Sequence, residues 1–209
     1  MLTFIFWNTN GQRVGNILSE LAIHHQADVL MLAECDFRDG EIVQDLNSSG
    51  VDFSYCPANV PSRLALFVRF PRKYVEPRFD SGHVTVRALH FPGCDEVLLA
   101  IVHLSSQLYL KEHEQTSEAI VVSSDIRRIE EEAGHMRTVV VGDFNLNPFS
   151  KGLTVANAFN AVQSRRIAKK RKRTVSGKNY PFFFNPMWNG IPNVSDHLPL
   201  KFQLEISYD

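Results

Sequence analysis

The sequence predicts an α/β fold in which helices cover β-sheets. Short apolar segments rich in β-branched and aromatic residues alternate with segments of helical period, and turn-forming residues separate them. The chain has 209 residues, of which 44% are hydrophobic, and that is enough for one well-filled core. We therefore expect a single domain over residues 1–209, built from sheets with helices packed on them.

Seven apolar segments have the pattern of strands. Each is short and is bounded by turn-forming residues. In the last one, Leu200, Phe202 and Leu204 alternate with polar residues, as in a strand with one buried face. The predicted strands cover residues 2–7, 27–33, 63–70, 83–91, 96–104, 138–144 and 197–206.

Two longer segments have the apolar period of an α-helix. The first places apolar residues on one face, at Val14, Ile17, Leu18 and Leu21. The second runs up to Gly134, a residue type that often ends a helix in the left-handed conformation. The predicted helices cover residues 11–26 and 113–135.

Composition excludes several classes of protein. No apolar span is long enough for a transmembrane helix, and the first residues lack the basic region of a signal peptide. The cysteines, Cys35, Cys56 and Cys94, are odd in number and have no CxxC spacing, so neither a disulfide framework nor a zinc site is indicated. We expect a cytoplasmic protein without a membrane span, whose cysteines are reduced, buried structural thiols.

The net charge of −1 hides an uneven distribution. Up to Asn145 there are 20 acidic and 12 basic residues, and after it 3 acidic and 10 basic. In the basic block, residues 165–173, seven of nine residues are basic, so we expect an exposed loop or frayed helix that contacts nucleic acid or phosphate. A solvated surface or a localisation signal is the alternative. The candidate substrate-binding residues of the block are Arg165, Arg166, Lys169, Lys170, Arg171, Lys172 and Arg173.

Four predicted strands end on a polar residue that can take part in chemistry. These residues are Asn8, Glu34, His103 and Asp143. Each alone has a simpler explanation as a turn former or helix cap. If the strands share one direction, however, the four side chains collect at one rim of the sheets, where α/β folds place their sites.

The residue types around this rim suit hydrolysis of a phosphate ester. The acids are hard oxygen ligands that favour Mg²⁺, or Mn²⁺, over zinc. The amides donate to phosphate oxygens, and the histidines exchange protons near neutral pH. The set comprises Glu34, Asp143 and Asp196, Asn8 and Asn145, and His103 and His197.

Five motifs together resemble one known superfamily. FIFWNTNG, LMLAE, AIVHLSS, VVVGDFNLNP and SDHLPL, in this order and spacing, are similar to those of the endonuclease/exonuclease/phosphatase superfamily, which includes DNase I-like nucleases. The resemblance spans Phe4 to Leu200, and GDFN followed by SDH is its most specific part. It implies a four-layered α/β sandwich, with two packed mixed sheets flanked by helices, and a Mg²⁺-dependent phosphodiesterase or phosphatase activity.

The resemblance also implies a role for each matching residue at the metal and phosphate. Glu34 is similar to the family's principal metal ligand, with Asn8 beside it, and Asp196 to a further carboxylate on the metal side. Asp143 and Asn145 resemble the pair that orients the attacking water and holds the phosphate.

Two histidines complete the implied site. His197 resembles the family's catalytic histidine, which acts as a base or as a phosphate donor. His103 is similar to the histidine placed opposite as an acid or transition-state donor. A family-like fold with an inactive site is the alternative.

One departure from the family concerns the partner of His197. Relatives have an aspartate between GDFN and SDH that pairs with the final histidine, but residues 146–195 contain no acid. Asn185 is the nearest polar replacement. An amide can orient an imidazole but cannot stabilise its protonated form by full charge, so we expect His197 to be a weaker base than usual.

The aromatic segment before the last motif has two interpretations. Core packing accounts for most of its rings. Trp188, close in sequence to the basic block, also has the chemistry of a single-strand binding surface, where bases stack on aromatic rings. Arg63 is either a phosphate contact or a surface charge.

Together these features predict a cytoplasmic, Mg²⁺-dependent phosphodiester hydrolase that acts on DNA or RNA. A phosphatase acting on a lipid headgroup or small phosphorylated molecule is one alternative. A catalytically silent nucleic-acid-binding module of the same fold is the other.

Overall fold

The computed structural model describes residues 1–35, 39–48, 50–106, 110–147, 149–161, 173–175, 178–180 and 199–205. The strands are β1 (Leu2–Asn8), β2 (Val29–Ala33), β3 (Ser54–Cys56), β4 (Leu64–Val68), β5 (Val75–Asp80), β6 (Val84–Leu89), β7 (Val97–His103), β8 (Thr138–Asp143), β9 (Arg173–Val175), β10 (Lys178–Tyr180) and β11 (Leu200–Leu204). The α-helices are α1 (Gly15–His24), α2 (Asp39–Ser48), α3 (Glu112–Ala133) and α4 (Lys151–Thr154), and a 3₁₀ turn spans Arg72–Tyr74.

Two mixed sheets form the centre of the molecule. One has five strands in the order β11-β1-β2-β4-β3, and the other has four in the order β5-β6-β7-β8. Each sheet contains a parallel pair, β1 with β2 and β7 with β8, whereas its other pairs are antiparallel. The β9–β10 hairpin forms a separate two-stranded sheet.

Three hydrophobic clusters show that the sheets and helices form four layers. The first lies between α1, α2 and the outer face of the five-stranded sheet. The second lies between the two sheets, and the third between the four-stranded sheet and α3. Alternate residues of β2 serve different layers: Leu30 and Leu32 face the helices, and Met31 faces the other sheet. This arrangement is the predicted four-layered α/β sandwich.

All seven predicted strands are present, with slightly different ends. In β11, Leu200, Phe202 and Leu204 pack on the core between the sheets as predicted, and the Phe202 ring stacks on Phe4 with centroids 4.8 Å apart. These β11 side chains are half-buried, so each contributes less than the roughly 1.5–3 kcal/mol of a fully buried one.

The predicted helices differ from the observed ones by a few residues at their ends. α1 begins four residues later than predicted, at Gly15, because Thr9 and Gly11 bond to Ala33 and Glu34 at the end of β2 instead. Gly134 ends α3 in the left-handed conformation, with φ of 72°, as predicted. The described elements that were not predicted are α2, α4, the 3₁₀ turn, the edge strands β3 and β5, and the β9–β10 pair.

Three further sequence predictions concern the cysteines, the membrane and the basic block. All three cysteines are free thiols, but only Cys56 is buried, whereas Cys35 and Cys94 are half-buried. No helix in the described part of the chain is long and apolar enough to cross a membrane. Residues 165–172 lie outside the described residues, and Arg173, the last of the block, begins β9.

Candidate active site

Four of the predicted site residues meet at one edge of the two sheets. Asn8 ends β1 and Glu34 follows β2, and these strands are parallel neighbours. In the other sheet, His103 and Asp143 are paired residues at the ends of the parallel strands β7 and β8. Because both parallel pairs end at this edge, side-chain hydrogen bonds cross from one sheet to the other there.

Asn8 lies at the centre of this group and is only 1% exposed. Its Nδ2 donates to Glu34 Oε1 at 3.0 Å and to Asp143 Oδ2 at 2.8 Å. Its Oδ1 accepts the Asn10 backbone N–H at 3.0 Å. Because an amide nitrogen carries two hydrogens, Asn8 bridges the two carboxylates and reduces their mutual repulsion. Its predicted place as a neighbour of a metal stays a prediction.

Glu34 has a backbone conformation that is unusual for its residue type. Its φ is +51°, in the left-handed region that costs an L-residue roughly 1–2 kcal/mol. Its carbonyl accepts the Gly11 backbone N–H at 2.9 Å and the Thr9 hydroxyl at 3.1 Å. The loop after β1 therefore holds Glu34 in place, and such strain is typical of functional sites.

His103 contacts the same acid from the second sheet. Its Nε2 lies 3.1 Å from Glu34 Oε1, and its side chain is 11% exposed. An ionised carboxylate only accepts hydrogen bonds, so this contact requires the proton on Nε2. Oε1 thus accepts from both Asn8 and His103, whereas Oε2 makes no hydrogen bond to any residue that the structure describes. One oxygen of Glu34 is available for a ligand.

The turn after β8 is anchored by its own hydrogen bonds. Asp143 Oδ1 accepts the Asn145 backbone N–H at 3.0 Å, and Asn145 Nδ2 donates to the Leu104 carbonyl at 2.8 Å. The buried Gln115 donates from Nε2 to the Asn145 carbonyl at 3.0 Å. Asn145 has φ of +47°, which asparagine tolerates better than most residues. Asp143 and Asn145 are therefore held in fixed positions beside His103.

A cleft of about 760 Å³ opens beside this group. That volume lies in the range of about 300–1,000 Å³ typical of ligand sites. A smaller hollow of about 280 Å³ adjoins Glu34, and both Glu34 and Arg63 line the two spaces. The described residues along the larger cleft are Glu34, Pro61, Ser62, Arg63, Gly82, His83, His103, Leu104, Ser105, Ser106, Leu110 and Asn145.

His83 lines this cleft and pairs with Glu118, a contact that sequence reasoning missed. His83 Nε2 lies 3.1 Å from Glu118 Oε1, and its Nδ1 lies 3.3 Å from the His103 carbonyl oxygen. Glu118 also accepts hydrogen bonds from the Ser105 backbone N–H and hydroxyl, both at 2.8 Å. No sequence signal marks the pair, since His83 lies within a predicted strand and Glu118 is one of many acids on α3.

The remaining predicted site residues lie outside the described residues, except for Arg173, of which only the place in β9 is described. Their roles stay predictions. They are Asp196, His197, Asn185, Trp188, Arg165, Arg166, Lys169, Lys170, Arg171 and Lys172.

The donor chemistry of the rim fits a hard divalent cation. Glu34 and Asp143 offer carboxylate oxygens at one edge, as Mg²⁺ prefers. Among the residues that the structure describes, however, no three or more His, Cys, Asp or Glu side chains are grouped so as to hold a metal ion. The predicted metal site of Glu34, Asn8 and Asp196 therefore stays a prediction.

Comparison with known proteins identifies the family. An α/β sandwich with this rim is the architecture of the DNase I-like fold, and residues 5–198 match the Endonuclease/Exonuclease/phosphatase family. Because the match spans most of the sequence, the chain belongs to this family, whose members hydrolyse phosphate esters. No curated protein matches the chain in sequence.

Solved structures share the fold at low sequence identity. The catalytic domain of human nocturnin, determined with a bound sulfate anion, has a TM-score of 0.53 and 17% identity, covering 75% of this chain and 70% of that one. Two structures of TDP2 from Caenorhabditis elegans have TM-scores of 0.50 and 0.51 and 18% identity, covering 70% of this chain. The chain spans 63% of the truncated TDP2 and 48% of the longer one, less than two thirds of either.

Proposed function

We propose that this protein is a Mg²⁺-dependent phosphodiester hydrolase that acts on nucleic acid. The observation that carries the proposal is the hydrogen-bonded group of Asn8, Glu34, His103 and Asp143, which joins the ends of two parallel strand pairs. Acids, amides and a histidine at one open cleft are the groups that phosphate ester hydrolysis requires.

Two acids are proposed to hold the cation. Glu34 would bind the cation through Oε2, and Asp196 would add a further carboxylate. The Asn8 amide would hold Glu34 Oε1 and Asp143 Oδ2 in position by donating a hydrogen bond to each. A bound Mg²⁺ supplies positive charge that neutralises the non-bridging phosphate oxygens. Mn²⁺ has the same ligand preference and is expected to substitute.

The remaining polar groups are proposed to act on the water and the leaving group. Asp143 and Asn145 orient the attacking water and hold the phosphate. His103, whose Nε2 lies at the rim 3.1 Å from Glu34 Oε1, is proposed to act opposite as an acid or as a hydrogen-bond donor to the transition state. His197 serves mainly as a hydrogen-bond donor, since its expected acidic partner is replaced by an amide, Asn185.

Nucleic acid is the proposed substrate for two reasons. The basic block, residues 165–173, carries the charge that a polyanion attracts. The related nocturnin domain binds sulfate, which is a tetrahedral anion like phosphate. A cytoplasmic location is part of this proposal.

Metal removal and substitution of one acid test the activity. We expect the purified protein to cleave labelled single- or double-stranded DNA or RNA in the presence of Mg²⁺. Addition of EDTA should abolish this cleavage. Glu34→Gln should lower kcat/KM at least about 100-fold, because metal charge supplies several kcal/mol and each 1.4 kcal/mol is about tenfold. Glu20→Gln, an exposed acid on α1, is the matched control.

Three other outcomes would contradict the proposal. Cleavage that survives EDTA or Glu34→Gln would exclude the metal mechanism. Release of inorganic phosphate from monoesters with polymers left intact would identify a phosphatase instead. Tight binding of nucleic acid without cleavage in Mg²⁺ or Mn²⁺ would identify a silent binding module.

A further inference from the structure

We propose that Arg63 binds a second phosphate of the substrate, next to the one that is hydrolysed. The inference rests on the proposed function and defines its substrate more closely, as a nucleic acid with at least one phosphate flanking the scissile bond. The observations that carry it are the position of Arg63 between two spaces, its lack of an ion-pair partner among the described residues and the anchoring of its loop.

Arg63 and Glu34 are the two described residues that line both the 760 Å³ cleft and the 280 Å³ hollow. A substrate that places its scissile phosphate at Glu34 therefore has Arg63 beside its continuing chain. The large cleft exceeds what a single phosphoryl group needs, since its volume is that of sites for whole organic ligands.

Within the described part of the chain, the charge of Arg63 is not paired with an acid. Arg63 is exposed, and it forms no hydrogen bond or ion pair with any described residue. By contrast, Arg69, Arg78 and Arg87 each have an acidic partner within 3.0 Å. A guanidinium without such a partner can donate to phosphate in a planar, bidentate contact.

The loop that carries Arg63 is held by a buried ion pair. Asp80 and Arg87 lie 2.8 Å apart, and both side chains are 1% exposed. Arg87 Nη2 donates to the Pro57 carbonyl at 3.1 Å, and Asp80 Oδ2 accepts the Asn59 backbone N–H at 2.8 Å. Because the segment before Arg63 is fixed in this way, less conformational entropy is lost when the arginine binds an anion.

Two cleft residues, His83 and Ser105, contact an acid that does not itself line the cleft. Glu118 accepts two hydrogen bonds from Ser105, and its Oε1 lies 3.1 Å from His83 Nε2. The half-buried Leu110 also lines the cleft and offers apolar surface on which the organic part of a nucleotide can lie. Among the described residues that line the cleft, Arg63 is the only Lys or Arg and Glu34 is the only acid.

Binding of a fluorescent oligothymidylate, measured by anisotropy in EDTA over a series of salt concentrations, tests the inference. Arg63→Gln should weaken binding about tenfold, as expected for loss of one hydrogen-bonded charge contact. It should also reduce the slope of log K against log salt by about 0.7, the value for one phosphate of a single strand. Arg63→Lys should keep the slope, and Arg128→Gln, which removes an exposed charge on α3, should change neither quantity.

An activity measurement separates this inference from the proposed function. Arg63→Gln should hydrolyse bis(p-nitrophenyl) phosphate, which has no flanking phosphate, as well as the unmodified protein does, and should lose about tenfold in kcat/KM on the oligonucleotide. Equal effects of Arg63→Gln and Arg128→Gln on binding would overturn the inference, as would failure of the unmodified protein to bind the oligonucleotide. Binding with the expected slope change but no cleavage in any metal would support the inference and refute the proposed function.

Discussion

Asn8 shows how one neutral side chain stabilises a group of like charges. Two carboxylates lie at hydrogen-bonding distance from its amide nitrogen, at 3.0 and 2.8 Å, and each hydrogen bond to a charged group contributes about 1.5–3 kcal/mol. A cation bound at this rim would contact the same two carboxylates as the Asn8 amide does. Asn8 therefore sets the separation of the acids before any ligand arrives.

Replacement of Asn8 by Asp should impair both activity and stability. The change removes two donors and adds a third negative charge, so we expect kcat/KM to fall about 10- to 100-fold, as is usual when partners of ligating carboxylates are lost. The measurement is steady-state hydrolysis of bis(p-nitrophenyl) phosphate over a Mg²⁺ titration. Asn16→Asp, at an exposed position of α1, is the control, and equal activity of the two variants would argue against the bridging role.

At the scale of elements, close packing of two strands determines where Asp143 lies. Gly142 is paired with Val102 in the parallel β7–β8 ladder, and a Cβ at position 142 would overlap the Val102 carbonyl oxygen. The next pair in the register is His103 with Asp143. The glycine thus allows the strand approach that brings these two residues together.

Gly142→Ala should lower both stability and activity. Overlap of this kind typically costs about 1–3 kcal/mol, which chemical denaturation can measure, and the shift of β8 should move Asp143 away from Asn8. Gly40→Ala on α2 is the matched control, because no atom lies within 4 Å of its added Cβ and alanine favours helices. An unchanged free energy of unfolding for Gly142→Ala would contradict the argument.

At the scale of the whole molecule, two titrating groups make stability depend on pH. Burial, followed by the charges of Lys201 and His24, lowers the pKa of His25 to about 4. For Glu96, burial alone would raise the pKa, but the hydrogen bond from His135 and the charges of Arg78 and His90 lower it below 4.5. Glu96 therefore adds stability above its ordinary pKa that is lost as pH falls through the lowered value.

His25 acts in a different pH window from Glu96. In the unfolded chain a histidine binds a proton near pH 6.5, whereas folded His25 stays neutral down to about pH 4. The unfolded state thus binds more protons as pH falls through this range, and the folded state is destabilised. Urea unfolding of His25→Gln should show a weaker loss of stability between about pH 6.5 and 4 than the unmodified protein.

A second histidine variant serves as the control for that experiment. His113→Gln changes an exposed histidine on α3 and should keep the pH dependence of the unmodified protein. The same pH dependence in His25→Gln and the unmodified protein would contradict the prediction.

Most of the fold was predictable because its strands are strongly apolar. β2, β7 and β8 have continuous apolar runs in the sequence. Such runs are typical of strands that are buried on both faces. The edge strand β5 was missed since it contains Pro77 and several charged residues, and its register shifts between Pro77 and Phe79. Edge strands tolerate such residues, so their sequences carry a weaker signal.

The candidate site was predictable in part for a related reason. Polar residues that directly follow buried strands are visible in the sequence, so Asn8, Glu34, His103 and Asp143 could be named together. His83 and Glu118 could not, because they meet through the packing of a β-turn against a distant helix. No local pattern in the sequence records such a contact.

The sequence by itself determined the α/β class, the family and the residue types available for chemistry, because periodicity and motifs are local properties of the chain. Only the tertiary structure decided which residues meet. The parallel pairing of β1 with β2 and of β7 with β8 places the polar strand ends at one edge, and the packing of the sheets lets Asn8 bridge acids that are 26 and 135 positions away. Contacts at such separations depend on strand order and register, which arise from burial of the whole core.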